Sequence, residues 1–402
     1  MPSEGRTGCQ GSFGNVARTL LLTTVLGGTV ACGARPGTPT QVPTFTASNQ
    51  VITPTEEFDE AELLALARAA IRHQDWAEAN NRCEVLLSAT SEPSVAEECR
   101  YILVQAAMAL RDESKAIRLI TAVLNLHPSS RFRRSLLVDL ISLEVLNSAW
   151  EALDGPSDDL LATQDVATLD TTLAFAAKAL AALNRDNTAA AQKFLRSATD
   201  LVEDYHLGEG GRSPFAVSVY WFAKGELHRR QSENVALTPA GEDFGGKLEA
   251  RCEALLAAQR AFAQAMHGVE PRIATMAGYR VGELYFRLHK DVMAIPEPTT
   301  IQTGKDRQIF YAAMHLRYRI LLEKALRMMD GTVDLASKVD DPSDLTTKAL
   351  ETKLAIEAVL QQEGENLKKF PFTEAEMQKA LEMSIARAAR AQAPKGRPVP
   401  SK

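Results

Sequence analysis

Aromatic side chains are scarce, at 6% of 402 residues, and stretches that alternate apolar with polar positions are missing. Without that alternation or a supply of β-branched and aromatic runs, the chain has no strand pattern, which excludes a sheet-built core. None of its five cysteines form a C-x-x-C pair, which removes a zinc ribbon and a thioredoxin-like redox site. Neither H-E-x-x-H nor G-x-S-x-G occurs, and the seven histidines are scattered. A basic excess is lacking as well. The net charge is −6, which argues against general nucleic-acid binding. No apolar run reaches the roughly 20 residues of a spanning helix. The uncharged stretch from Thr19 to Ala34 has 16 residues and contains Gly27 and Gly28.

That stretch has another use. Arg6 and Arg18 precede an apolar region, Thr19 to Ala31, that ends in small residues, the order of a secretory signal. Thr29-Val30-Ala31-Cys32 resembles the bacterial lipobox, in which the cysteine is acylated and becomes the new N-terminus. It departs from that pattern at Thr29, where leucine is preferred. Several acyl chains anchor stably where one is marginal. A signal cut without lipid and an uncleaved anchor are the alternatives. Residues 1–31 are therefore read as a signal peptide and Cys32 as the lipidation site. Export also places the cysteines where disulfides can form.

Residues 32–54, rich in Pro and Thr with Arg35 the one charge, read as a flexible linker. Helix-start signals follow. Thr53-Pro54-Thr55-Glu56, Asp75-Trp76-Ala77-Glu78, Ser94-Val95-Ala96-Glu97 and Thr373-Glu374-Ala375-Glu376 read as capping boxes, and Ser213-Pro214 and Asp341-Pro342 as cap-plus-proline starts. Apolar residues between them recur at spacings of three and four, and alanine-rich runs such as AFAAKALAAL favour helices packed through small side chains. The expectation is an all-α chain, helical from 55 to 393, with 394–402 a disordered basic tail.

Repetition decides between a bundle and an array. Ala116, Ile120, Val123 and Pro128 match the second half of a tetratricopeptide (TPR) repeat; Ala79, Cys83 and Leu86 fall on that frame 37 residues earlier, and Ala191, Leu195 and Ala198 fall on it 75 later. "WFAKGELHRR" (221–230) aligns without gaps on "GYRVGELYFR" (278–287). Gly225 and Gly282 in these segments read as points where a neighbouring helix approaches, with Phe262 and Ala265 on the second helix. About 20 residues are inserted after each segment, at 231–250 and 291–308, and these read as candidate contact loops. The fold class expected is an α-solenoid of TPR-like helical hairpins. The block from Ala274 to Met329 resembles the TPR-type envelope proteins of myxobacteria and their relatives, some of which belong to gliding-motility assemblies. That resemblance implies a cell-envelope scaffold.

First-helix residues would line the concave side of such an array. The candidate partner-binding residues are Phe222, Glu226, Arg229 and Arg230 in one repeat and Tyr279, Glu283, Phe286 and Arg287 in the next. An aromatic beside a Glu/Arg pair suits a peptide, and arginine forks read carboxylates. A solvated face with the aromatics packed inward is the alternative. Cys83 and Cys99 flank a turn at similar distances, as a bridge across a helix pair requires, or as two buried thiols; Cys252 reads as core. Gly241 to Leu248 nearly spells a phosphate loop, but Leu248 replaces the hydroxyl and no apolar strand precedes it. GEGGRSP (208–214) reads as a flexible turn, with an anion site at Ser213 as the alternative, and His228 as packing or surface. A lytic transglycosylase needs an added lobe with an acid, and the tail after Glu382 is too short for one.

The sequence thus leads to an expectation of no catalytic residues, no metal, no cofactor and no small-molecule substrate. The expected protein is an exported lipoprotein facing the periplasm, on the outer membrane, held by its N-terminal lipid and binding envelope proteins as a scaffold or adaptor. A chaperone-like subunit of outer-membrane protein assembly and a regulator of a cell-wall enzyme are the alternatives.

Overall fold

The computed structural model describes residues 59–237, 244–295, 303–339, 344–373 and 375–379. The signal and linker (residues 1–54), Cys32, the Thr53–Glu56 and Asp341-Pro342 starts and the tail 394–402 lie outside them. The chain divides into two compact units, one ending at His127 and one beginning at Pro128.

In the first unit α1 (Glu60–Arg72), α2 (Trp76–Ala89), α3 (Pro93–Ala109) and α4 (Glu113–Leu126) form two helical hairpins. The second unit continues with α5 (Arg133–Leu146), a 3-10 turn (Trp150–Ala152), α6 (Asp154–Leu161), α7 (Thr168–Asn184), α8 (Thr188–Asp204), α9 (Phe215–Glu233), α10 (Phe244–Met266), α11 (Pro271–Met293), α12 (Gly304–Val339) and α13 (Leu345–Lys369). Among the described residues there is no strand; a lone bridge joins Ser213 to Gly268.

Each second helix buries residues at i, i+4 and i+7, the stripe a helix turns toward one neighbour. They are Ala79, Cys83 and Leu86 on α2; Ala116, Ile120 and Val123 on α4; Leu153, Ser157 and Leu160 at α6; Ala191, Leu195 and Ala198 on α8; Ala258, Phe262 and Ala265 on α10; and Ala325, Met329 and Thr332 on α12. None of them is more than 4% exposed. Twelve residues before the first member of each of the first four triads stand Ala67, Val104, Ile141 and Ala179, all at 0%. This recurrence makes the chain an α-solenoid of TPR-like hairpins.

The turns repeat as well. Gln74, Arg111 and Asp186 adopt left-handed φ of 59°, 57° and 56°. The next residue caps the following helix: Asp75 accepts from the Glu78 amide at 3.1 Å, Asp112 from Lys115 at 3.0 Å and Asn187 from Ala190 at 3.0 Å. Thr373 and Glu376 close a capping box, the Thr373 amide reaching Glu376 Oε2 at 2.8 Å. The expected start at Ser94 is corrected: α3 begins at Pro93, whose missing N–H costs nothing in a first turn, and Ser94 bonds Glu92 instead.

The inserted segments are also corrected. They are not loops throughout: α9 continues to Glu233, and α10 and α12 begin at Phe244 and Gly304. Much of the extra sequence lengthens helices, giving α10 23 and α12 36 residues against 17 in α8. Residues 238–243 and 296–302 lie outside the described set. Gly245 to Leu248 are helical, which leaves no phosphate-cradling loop there.

Gly225 and Gly282 sit at close approaches, for different neighbours. A Cβ on Gly225 would lie 2.6 Å from the Phe262 ring, which is fully buried and cannot move aside. One on Gly282 would meet the flexible end of Met329 at 2.7 Å. Alanine gains about 1 kcal/mol of helix propensity over glycine, while overpacking a core costs about 1–3 kcal/mol. Gly225→Ala is therefore expected to lower the urea midpoint clearly and Gly282→Ala to move it little. Equal shifts would contradict the rigid Phe262 contact.

Between α11, α12 and α13 lies a buried polar cluster. His289 is 2% exposed, its Nε2 stands 3.6 Å from Glu363 Oε1, and His315 Nδ1 contacts the other Glu363 oxygen. Burial pushes the His289 pKa down, with Glu363 opposing it and His315 and Lys290 adding to the fall. The unfolded state therefore binds the extra proton, so the stabilisation from a neutral His289 is present above about pH 6.5 and lost as pH falls below it. Asp139, pushed up to about 6 by burial, acts in the opposite sense. On lowering pH from 7.5 to 5.5 the parent should therefore lose melting temperature relative to His289→Leu; parallel profiles would remove His289 as a cause.

Candidate partner-binding face

The aligned Gly-Glu-Leu segments lie on neighbouring first helices, α9 and α11, and a chain of charges joins them. Glu226 is 6% exposed. It accepts from Arg229 Nη2 at 2.8 Å and pairs with Arg280 Nε at 3.0 Å. Arg280 continues to Glu283 at 2.7 Å, and Arg229 reaches both oxygens of Glu233 at 2.9 Å. Glu233 then meets Arg287 at 3.1 Å. Three carboxylates and three guanidiniums alternate, so the network is neutral, and the paired charges repay much of the cost of leaving water. Burial alone would raise the Glu226 pKa; Arg280 and Arg229 outweigh it and hold the carboxyl below its ordinary range. Arg229 stays protonated because Glu226 and Glu233 overcome its burial.

Exposure rises along this chain. The Glu226, Arg229 and Glu233 side chains are 8%, 13% and 15% exposed, whereas Glu283 and Arg287 reach 36% and 55%. The arrangement is a buried anchor holding two accessible charges in fixed places.

Of the eight expected residues, Glu226, Arg229, Glu283 and Arg287 meet here. Arg230 pairs instead with Asp186 in the α7–α8 turn. Tyr279 is half-buried, with the Arg280 guanidinium 5.8 Å from its ring centre. Phe222 and Phe286 are corrected to core residues, 1% and 7% exposed. Phe222 stacks on Trp150 at 6.2 Å and packs against Phe262 at 5.6 Å, and the apolar gain of that burial exceeds anything an exposed ring offers. Lys290 Nζ lies 3.9 Å over Phe286. Sequence reasoning missed Glu233 and Arg280. Their signal was there, at i+4 from Arg229 and three before Glu283, the spacings at which helical side chains meet.

Cys83 and Cys99 face each other on α2 and α3 as fully buried free thiols. A hydrogen bond to Cys99, with burial, raises the Cys83 pKa. Cys252 is buried. Among the described residues no group of His, Cys, Asp and Glu is placed to hold a metal, and no helix is long and apolar enough to cross a membrane.

The repeated buried triads and the hairpins that carry them define the class: a helical-repeat protein built of TPR-like hairpins. No family model and no curated protein matches the chain. Among solved structures it is similar to the TPR domain of P58(IPK), at 13% identity and a TM-score of 0.26, over 84% of this chain and all of that one.

Proposed function

We propose that this protein is a membrane-tethered periplasmic scaffold that binds protein partners in a cell-envelope complex and catalyses nothing itself. The observation that carries the reading is the α9–α11 face, where a buried ion network fixes Glu283 and Arg287 at the surface. Charges ordered before binding cost less entropy on association than free side chains do. The lipid on Cys32 holds the chain at the outer membrane, and the Pro/Thr linker lets the hairpins reach away from it. The resemblance of the Ala274–Met329 block supports an envelope machine, with motility assemblies one such setting.

Two measurements test this. Cys32→Ser, with residues 1–31 retained, should move the protein from the membrane to the soluble fraction; unchanged membrane association ends the lipoprotein reading. Photocrosslinking from position 283 or 287 should trap an envelope protein, and Arg287→Glu should reduce that adduct. A crosslinker at buried position 222 should trap none. Adducts unaffected by Arg287→Glu would place the contact elsewhere.

A further inference from the structure

A second surface of α9 carries cations that no carboxylate matches among the described residues. Trp221, Lys224 and His228 lie about 140° round the helix from the ion network, at 100° per residue. With Ala257, Arg260 and Ala261 of α10 they line an open groove of about 400 Å³, room for one or two side chains. Its wall is an indole and two alanines, and its rim is cationic.

Lys224 Nζ sits 4.9 Å from the Trp221 ring centre and donates to the Tyr220 hydroxyl at 3.0 Å, which leaves two of its three donors unused. Arg260 Nε reaches only the Leu256 carbonyl in its own helix, at 3.3 Å. Among the described residues neither cation has a carboxylate within 4 Å. The contrast with the other face is sharp, since Arg229, Arg280 and Arg287 are each matched there. His228, hydrogen-bonded to Gln231, is pushed toward its neutral form first by burial and then by Lys224 and Arg260, which marks the same local positive field.

We infer that the α9–α10 groove is a docking site for an acidic peptide segment, seating an apolar side chain against Trp221 while carboxylates pair with Lys224 and Arg260. The inference rests on the protein-binding reading above but places a separate contact on a different face. Apolar contact with the indole supplies affinity, and the two cations supply register and selection for acidic sequence.

Fluorescence polarisation tests it with two labelled dodecapeptides on the intact chain, one of glutamate with leucine at every third position, the other with glutamine replacing glutamate. The acidic peptide should bind, more weakly at higher salt, and the glutamine peptide at least ~10-fold less tightly. Lys224→Glu with Arg260→Glu should weaken acidic-peptide binding by ~10-fold or more, and Trp221→Ala by several-fold. Arg118→Glu with Lys338→Glu, equal in charge on exposed faces of α4 and α12, should leave binding nearly unchanged. Circular dichroism establishes that each variant keeps its helices. No binding, equal binding of both peptides, or equal losses in the two charge-reversed pairs would overturn the inference. Crosslinking from position 287 reads the other face independently, so the two proposals fail separately.

Discussion

Glu226→Ala should destabilise the second unit by about 3–5 kcal/mol, the cost of removing one member of a buried ion pair. The carboxylate is the point at which Arg229 of α9 and Arg280 of α11 converge, and all three lie in largely buried positions. Without it two guanidiniums face each other with half their compensation gone. The pairs further out do not replace it: Glu283 and Glu233 already serve Arg280, Arg229 and Arg287. By contrast, Arg287→Ala removes an exposed partner and should cost under about 1 kcal/mol. Urea unfolding of the two variants measures the difference. Similar small losses would mean that water reaches Glu226 and that the network does not tie the two helices. Glu226→Leu combined with Arg229→Met and Arg280→Met should recover much of the lost stability, since replacing a whole buried network by apolar side chains is often neutral.

Phe222→Ala should cost about 3–5 kcal/mol, the range for emptying a buried aromatic site. The ring is enclosed by Trp150 on one side and Phe262 on the other, and Phe262 is itself wedged against Gly225. Neither neighbour is free to close the cavity. The change should also alter Trp150 fluorescence, because the indole loses its stacked partner. Phe222→Leu, which keeps most of the volume, should cost much less and leave partner crosslinking from position 287 intact. A Phe222→Ala protein with parental stability and lost partner binding would instead return Phe222 to the contact surface.

Most of the repeat architecture was legible because it is carried by small residues at fixed spacing. Ala79, Ala116 and Ala191 head triads that the structure buries on α2, α4 and α8. The repeat between them was missed: Leu153, Ser157 and Leu160 keep the spacing of four and three, but a bulky residue leads and a polar one follows, inverting the pattern of alanine then bulk. The preceding turn is disguised too, since Ser148 keeps the left-handed φ of 55° while Ala149 lacks the capping side chain of Asp75 and Asp112. Glu226 and Arg229 were recognised as a pair from their positions on one helix. Their dependence on Arg280 was not visible, because no pattern along α9 reports which residue of α11 stands opposite.

From its own order of residues the chain determines that it is helical, where most hairpins turn, and which side of each second helix is buried. These properties are local, arising from side chains within seven positions of one another. Whether an aromatic on a first helix faces a partner or the core is not local. It depends on how the flanking helices approach, and only the tertiary structure placed Trp150 and Phe262 on either side of Phe222. The same holds for charge: the sequence offers cations along α9, and packing against α11 and α10 leaves one group neutralised and the other, among the described residues, without a carboxylate partner.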